Sequence, residues 1–197
     1  MKAALKVFSK HGYHRASVNM IAREARVSKA LIYWYFRSKR NLVIEIAEKS
    51  LPIEVVKKCL NENLRGRRLL ECIGSRFIEK YRSFEMRTLF LHTLSLENTD
   101  ARVRDTLSRL CEKELVELSN RVFGECSQEC MIKLRMFFGA LILYIIRPPT
   151  DISEEEYINM LVEKCIGSDE APTHRLEGGW GGDSSLNRGV CCVEEDG

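Results

Sequence analysis

The sequence of 197 residues predicts an all-α protein. Up to residue 167, apolar residues recur at helical spacing (i, i+3, i+4, i+7) in one segment after another. The alternating Val/Ile/Thr runs and the Asn-Gly or Asp-Gly pairs that mark β-hairpins are absent from this stretch. Most segments also follow a serine or aspartate, whose side chain can cap the first turn of a helix. We therefore expect a series of helices that ends near Gly167.

Four short helices are predicted at the N-terminal end. Gly12 is expected to end the first of them, because glycine readily adopts the left-handed conformation at a helix C-terminus. The next three are expected to follow the N-cap residues Ser17, Ser28 and Ser38. Only Arg26-Val27 separates the second helix from the third.

Six longer helices are predicted after Leu51. A proline pair, Pro148-Pro149, ends the fifth of them, and the Ser-Glu-Glu-Glu run from Ser153 begins the sixth. Residues 168–197 are rich in Gly, Ser and acids and have no periodicity, so we expect a disordered acidic tail. The six expected ranges are about 52–64, 67–83, 84–96, 100–123, 128–146 and 153–167.

Charge is distributed unevenly along the chain. Residues 1–49 carry eleven Lys/Arg and three acids, a net of +8. Residues 50–167 carry eighteen of each sign, and residues 168–197 have a net of −5 from two Arg and seven acids. This asymmetry predicts a polyanion-binding N-terminal end, a neutral body and an acidic tail.

The composition indicates a protein that neither enters a membrane nor is exported. The longest apolar run, Met136 to Ile146, has eleven residues, whereas a membrane span needs roughly 20. Charges interrupt the N-terminus too often for a signal peptide, so a cytoplasmic location is expected. In that setting the eight cysteines are expected to be buried thiols rather than a disulfide framework.

The second and third helices form a helix-turn-helix pattern, two short helices joined by a tight break. On the third helix, Ile32 and Phe36 are expected to face inward against Phe8, Ile21 and Ala25. The opposite face carries aromatic and basic side chains, which we expect to be exposed and suited to DNA. These residues are Lys29, Ala30, Tyr33, Trp34 and Tyr35.

The N-terminal residues resemble the DNA-binding domain of TetR (tetracycline-repressor-like) transcriptional regulators. About a dozen matching positions lie within about 40 residues, which makes the resemblance far more specific than a lone helix-turn-helix. The matching positions are Phe8, Gly12, Ser17, Ile21-Ala22, Ala25-Arg26-Val27-Ser28, Ile32-Tyr33-Trp34-Tyr35-Phe36, Lys39 and Leu42.

The resemblance implies a sequence-specific DNA-binding regulator, most often a repressor, that acts as a homodimer on a palindromic operator. Residues 1–46 would form the three-helix DNA-binding domain, and residues 47–167 a helical domain for dimerisation and inducer binding. A small-molecule inducer would release the operator. By position, the phosphate contacts correspond to Ser17, Leu31, Tyr33, Tyr35 and Lys39. The base-edge contacts correspond to Asn19, Ser28, Lys29, Ala30 and Trp34.

Three features depart from the family pattern. Arg26 replaces the usual turn glycine, so its backbone must adopt a strained left-handed conformation or form a different turn. Leu31 replaces a Thr or Ser that would donate to phosphate. Family members usually carry two or three more helical turns and a basic arm ahead of the position of Met1. Either this protein lacks the arm or its start lies further upstream.

The inducer and the dimer partner are expected to use the C-terminal helices. By analogy with the family, Tyr81, Arg87, His92 and Tyr144 are candidate ligand-binding residues, although each also fits an ordinary core or surface position. The FFGALILYII run and the last helix are expected to form a self-complementary interface, with Leu141 and Leu161 in it. The alternative is that the run is only the central core helix of the monomer, and the two interpretations are compatible in part.

Two alternatives remain within the class of DNA-binding regulators. One is a constitutive regulator without a ligand. The other is a regulator that senses thiols or a metal, because Cys126 and Cys130 have i, i+4 spacing and Cys111, Cys165 and His92 could join them. An enzyme is not expected, since a Gly-rich phosphate loop, HExxH and GxSxG are all absent, and neither a metal nor a cofactor is expected.

Overall fold

The computed structural model describes residues 1–167, and these form ten helices without a strand. All six of the longer predicted helices are present, and each observed limit lies within three residues of the predicted one. The helices are α1 (Lys2–Arg15), α2 (Val18–Ala25), α3 (Lys29–Phe36), α4 (Lys39–Ser50), α5 (Ile53–Asn61), α6 (Gly66–Arg82), α7 (Phe84–Glu97), α8 (Ala101–Phe123), α9 (Gln128–Ile146) and α10 (Glu154–Ile166).

Serine side chains fix the starts of the N-terminal helices, as the sequence predicts. The hydroxyls of Ser17, Ser28 and Ser38 accept hydrogen bonds from backbone N–H groups three residues on, at 3.1–3.2 Å. Each bond satisfies a donor that the first turn of a helix leaves free. The first helix differs from the prediction. Gly12 has a φ of 69° and kinks α1 rather than ending it.

The turn between α2 and α3 uses the left-handed alternative. Arg26 has φ 55° and ψ 41°, a conformation that costs a non-glycine residue free energy. Two backbone hydrogen bonds hold it there: Val27 N–H donates to Ala22 O at 3.0 Å, and Arg26 N–H donates to Arg23 O at 3.2 Å. This pair of bonds is a Schellman motif. It sets the angle at which α3 leaves α2.

Helices α5–α10 form a bundle around α6, which contacts the other five. The aromatic rings of Phe77, Tyr81 and Phe90 are buried at its centre. A small residue lets α10 approach α6 closely, because a Cβ at Gly74 would stand 3.0 Å from Cγ2 of Ile158. On the other side, α1 and α4 pack against α7 and join the bundle to the helix-turn-helix. The expected domain boundary after residue 46 falls within α4 and stays a prediction.

Two expectations about side chains are wrong. Cys59 of α5 and Cys72 of α6 form a disulfide, so the expectation of buried thiols alone fails for this pair. Leu141 is completely buried inside the protomer, so it belongs to the core of the bundle rather than to a face that a partner could cover. Leu161 is partly buried against the same core.

The outer face of α9 carries an apolar stripe that packs against none of the described helices. Four large apolar side chains and one glycine follow each other at alternating spacings of four and three residues. More than half of each of the four side chains is exposed, and Met160 of α10 is exposed as well. The members of this stripe are Ile132, Met136, Gly139, Leu143 and Ile146.

The expected disordered tail, residues 168–197, lies outside the described residues. Within residues 1–167, none of the helices is long and apolar enough to cross a membrane.

Candidate nucleic-acid interface and ligand cavity

Helix α3 presents the aromatic face that the sequence predicts. Ile32 is buried against the core and Phe36 is half-buried. Trp34 and Tyr35 are 72% and 66% exposed, and Tyr33 is exposed as well. The exposed surfaces of these rings are available to a partner. Ala25 was expected to pack inward beneath α3, but it is exposed at the end of α2.

The ten predicted DNA-binding residues all reach the surface of the helix-turn-helix. Ser17 and Lys39 are partly exposed and the other eight are exposed. The Ser17 and Ser28 hydroxyl oxygens accept hydrogen bonds as helix caps, which leaves their O–H groups available to donate to a phosphate oxygen. The Lys29 ammonium lies 5.8 Å from the centre of the Tyr33 ring. The eight others are Asn19, Ser28, Lys29, Ala30, Leu31, Tyr33, Trp34 and Tyr35.

A cavity of about 290 Å³ lies inside the bundle, between α5, α6, α7, α8 and α9. Its wall is almost wholly apolar, and only a few polar side chains reach it: Glu97, Glu114, Arg135 and the Cys111 thiol. Apolar cavities with a few polar groups are typical small-molecule sites. The principal apolar lining residues are Phe77, Phe90, Leu94, Leu115, Leu118 and Phe138.

None of the four predicted ligand residues lines this cavity. Tyr81 is fully buried, its hydroxyl donates to Ser50 O at 2.5 Å, and burial raises its pKa. Arg87 reaches Tyr81 O at 3.4 Å. Nδ1 of His92 lies 3.2 Å from Phe8 O, beside a separate polar hollow between α1 and α7. The Tyr144 ring packs on Tyr157, 4.7 Å between centres.

A buried cluster of hydroxyls joins the helix-turn-helix to the bundle. The Tyr13 hydroxyl of α1 lies 2.9 Å from Oγ1 of Thr93 on α7. Oγ of Ser50, the last residue of α4, lies 2.7 Å from the same Thr93 oxygen. Burial raises the pKa of Tyr13 to about 12. The sequence does not predict this cluster, whose members lie 43 and 80 residues apart, because no local pattern marks residues that meet only in the fold.

The cysteine and histidine candidates for a metal site do not come together. Among residues 1–167, no group of three His, Cys, Asp or Glu side chains is placed to hold a metal ion. Cys130 instead directs its thiol to Glu125 at 3.7 Å, and Cys165 directs its thiol to Lys133 O.

The chain is similar in sequence to known bacterial transcriptional regulators. Residues 1–46 match the family model described as bacterial regulatory proteins, tetR family. The HTH-type transcriptional regulator AcrR of Shigella flexneri is 30% identical over 119 residues, which is 56% of this chain and 55% of that protein. The fatty acid metabolism regulator protein of Bacillus subtilis is 29% identical over 76 residues, 38% of this chain and 39% of that protein.

One solved structure of similar fold contains a ligand. The transcriptional regulator FadR from Bacillus subtilis, in complex with stearoyl-CoA, superposes with a TM-score of 0.59. The match covers 84% of this chain and 95% of that one at 17% identity, so it speaks for the fold alone. The sequence matches cover only part of the curated relatives: 39% of the length of the Bacillus subtilis protein and 55% of the length of the Shigella flexneri protein.

Proposed function

Because the chain belongs to the TetR family of bacterial regulatory proteins, we propose that it is a homodimeric repressor that binds operator DNA and releases it when an apolar ligand fills the bundle cavity. The observation that carries the DNA-binding part is the exposed aromatic and basic face of α3, in a segment with a net charge of +8. Repression follows if the operator overlaps a promoter.

The proposed contacts divide into two classes. Trp34 and Lys29 read base edges in the major groove, where an indole packs against a thymine methyl and an ammonium donates to guanine. The hydroxyls of Tyr33 and Tyr35 and the ammonium of Lys39 bind phosphates and fix the position of α3. Leu31 adds only apolar contact, since it has no hydroxyl.

The proposed dimer forms through the apolar stripe of α9, with a second copy of this chain as the occupant. Its alternating spacing of four and three is the heptad pattern of helices that pack side by side. In a two-fold dimer the same stripe meets itself, and Gly139 at its centre allows the two helices to approach closely. Met160 adds apolar area from α10.

The cavity favours a ligand-responsive regulator over a constitutive one. Leu51 and Pro52, which follow α4 directly, form part of its wall. Only two residues separate the end of α3 from the start of α4, so a ligand that displaces Leu51 moves the base of the helix-turn-helix. A ligand shifts the balance between DNA-binding and released states only by its differential affinity for them.

Selection from a library of random DNA duplexes tests the proposal. We expect full-length protein to enrich a palindrome whose half-sites lie about 34–36 Å apart or a multiple of that distance. Binding should weaken steeply with salt, as it does for any protein that neutralises phosphates. Enrichment of no sequence over the random background would contradict the proposal.

Changing Trp34 to Ala should cost about 1–3 kcal/mol of affinity for the selected palindrome, because a base-edge contact is lost. Binding to random duplexes and the melting temperature should stay nearly the same, because the side chain is exposed. Fluorescence anisotropy on both duplexes measures the difference. Phe84→Ala is the control, since Phe84 is 71% exposed but lies on α7. An equal loss on both duplexes would place Trp34 among the phosphate and sugar contacts.

Changing Lys39 to Ala should weaken binding to every duplex alike. The plot of log K against log salt should flatten by about one unit per phosphate contact removed. A salt titration of the palindrome and of a random duplex measures both effects. Lys113→Ala, an exposed lysine on α8, is the control and should leave the slope unchanged. A loss confined to the palindrome would contradict the phosphate role.

A further inference from the structure

The polar side chains of the bundle cavity lie mainly on one wall. Glu97 at the end of α7 and Glu114 on α8 line it together with the Cys111 thiol between them. Burial and the carboxylates of Glu97, Glu112 and Glu114 raise the pKa of Cys111 to about 11. The nearby carboxylates disfavour a thiolate at Cys111. The same carboxylates give this wall of the cavity a negative potential.

The two carboxylates differ in their partners. Glu114 already has a counter-ion. The ammonium of Lys57, an exposed side chain, lies 3.2 Å from the Glu114 carboxylate. Glu97 makes neither a hydrogen bond nor an ion pair with any residue in the described range 1–167. Burial raises the pKa of Glu97, and no neighbouring cation opposes that effect. A half-buried carboxylate without a partner is costly, and a cation that pairs with it recovers part of that cost.

The cationic side chain of the cavity, Arg135, forms no ion pair with this wall among the described residues. Arg135 lines the cavity from α9, next to Phe138 and Gly139, and is exposed. Neither an ion pair nor a hydrogen bond joins Arg135 to Glu97 among the described residues, so Arg135 does not serve as the counter-ion of that carboxylate. The carboxylate of Glu97 is therefore the polar group at this wall that a ligand can satisfy.

We propose that the cavity binds an organic cation, an ammonium group on an apolar body, with the ammonium against Glu97 and the body among Phe77, Phe90 and Phe138. This inference rests on the proposed ligand-responsive function and names its ligand class. The negative faces of the three phenyl rings attract a cation as well. An anion of the same shape would instead meet the carboxylates of Glu97 and Glu114.

Three probes with the same chain and different head groups test the inference: decylamine, which is protonated at neutral pH, decanol and decanoate. Isothermal titration of full-length protein below the micelle concentration of each probe gives the dissociation constants. We expect decylamine to bind about tenfold tighter than decanol, and decanoate to bind weakest, as one charge-assisted hydrogen bond predicts. Glu97→Gln should remove the preference for the amine, whereas Glu117→Gln, an exposed α8 position outside the cavity, should retain it.

The other outcomes overturn the inference in distinct ways. Tightest binding of decanoate, lost in Arg135→Gln, would mean that the cavity reads an anionic head group from α9. Equal binding of all three probes would mean that the head group is not read. No binding of any probe would exclude a decyl-sized amphiphile. The duplex selection above is done without ligand, so its result judges the DNA-binding proposal separately from all of these.

Discussion

Leu143→Asp should convert the protein from a dimer to a monomer that remains folded. Leu143 is 61% exposed on the α9 stripe, so the protomer loses little when it is replaced. In a two-fold dimer the substitution occurs twice and places two carboxylates in one apolar interface, which costs several kcal/mol. Light scattering at micromolar protein should report half the mass, with an unchanged helical circular dichroism spectrum.

The loss of the dimer should weaken operator binding far more than any single contact residue does. Joining two DNA-binding modules raises overall affinity by about 10²–10⁴-fold, and the monomer loses that factor. Among the two surface leucines compared, only the one on the α9 stripe should disrupt the dimer when it is changed to Asp. Leu91→Asp, a partly exposed leucine on α7, is the control and should stay dimeric.

A second leucine of the same helix separates assembly from folding. Leu141 is 0% exposed, so Leu141→Asp buries a charge inside the protomer and should unfold it. A folded, dimeric Leu143→Asp protein would exclude the α9 stripe as the dimer interface.

The contrast between Leu141 and Leu143 shows where the sequence is insufficient. Met136 to Ile146 is apolar throughout, so helical periodicity cannot tell which side faces the core. Both faces are apolar, and only the packing of α9 against its neighbours reveals that Leu141 faces inward. The sequence alone therefore gives no physical reason to place Leu143, rather than Leu141, on the exposed face of α9.

The helix limits and the recognition helix, by contrast, follow from local chemistry. Ser17, Ser28 and Ser38 begin helices because their hydroxyls satisfy backbone groups a few residues away, and local sequence contains that information. The exposure of Trp34 and Tyr35 follows from the fact that consecutive residues cannot share one helix face.

Contacts between distant residues could not be predicted. The cavity wall and the Cys59–Cys72 disulfide depend on how α5 to α9 pack. Tyr81 and His92 are polar or amphipathic residues on helices that, by analogy with the family, surround the inducer cavity, but this information does not specify the helix face that meets the cavity. For the same reason Glu97 was not recognised as a cavity residue.

Thr93→Val should lower stability by about 1–3 kcal/mol, because it removes the hydrogen-bond partner of a buried hydroxyl. The Tyr13 hydroxyl has Thr93 as its partner at 2.9 Å, whereas Ser50 keeps a second bond to Ala47 O at 2.7 Å. For a chain of this length each kcal/mol lowers Tm by about 2–4 °C. Thr106→Val is the control, since Thr106 bonds only to a carbonyl of its own helix, Arg102 O at 2.9 Å.

A double variant separates stability from communication between the two parts of the molecule. Adding Tyr13→Phe to Thr93→Val removes the unpaired hydroxyl as well, and stability should return close to the starting value, because replacing both partners is nearly neutral. The Tyr13–Thr93 hydrogen bond between α1 and α7 stays absent, however. The tightest-binding decyl probe weakens operator binding by a certain factor in the unsubstituted protein. That factor should be smaller in the double variant, as in Thr93→Val alone. Recovery of that factor along with Tm would show that the hydroxyl cluster only stabilises the fold, and that Leu51 and Pro52 alone carry the signal from the cavity to α4.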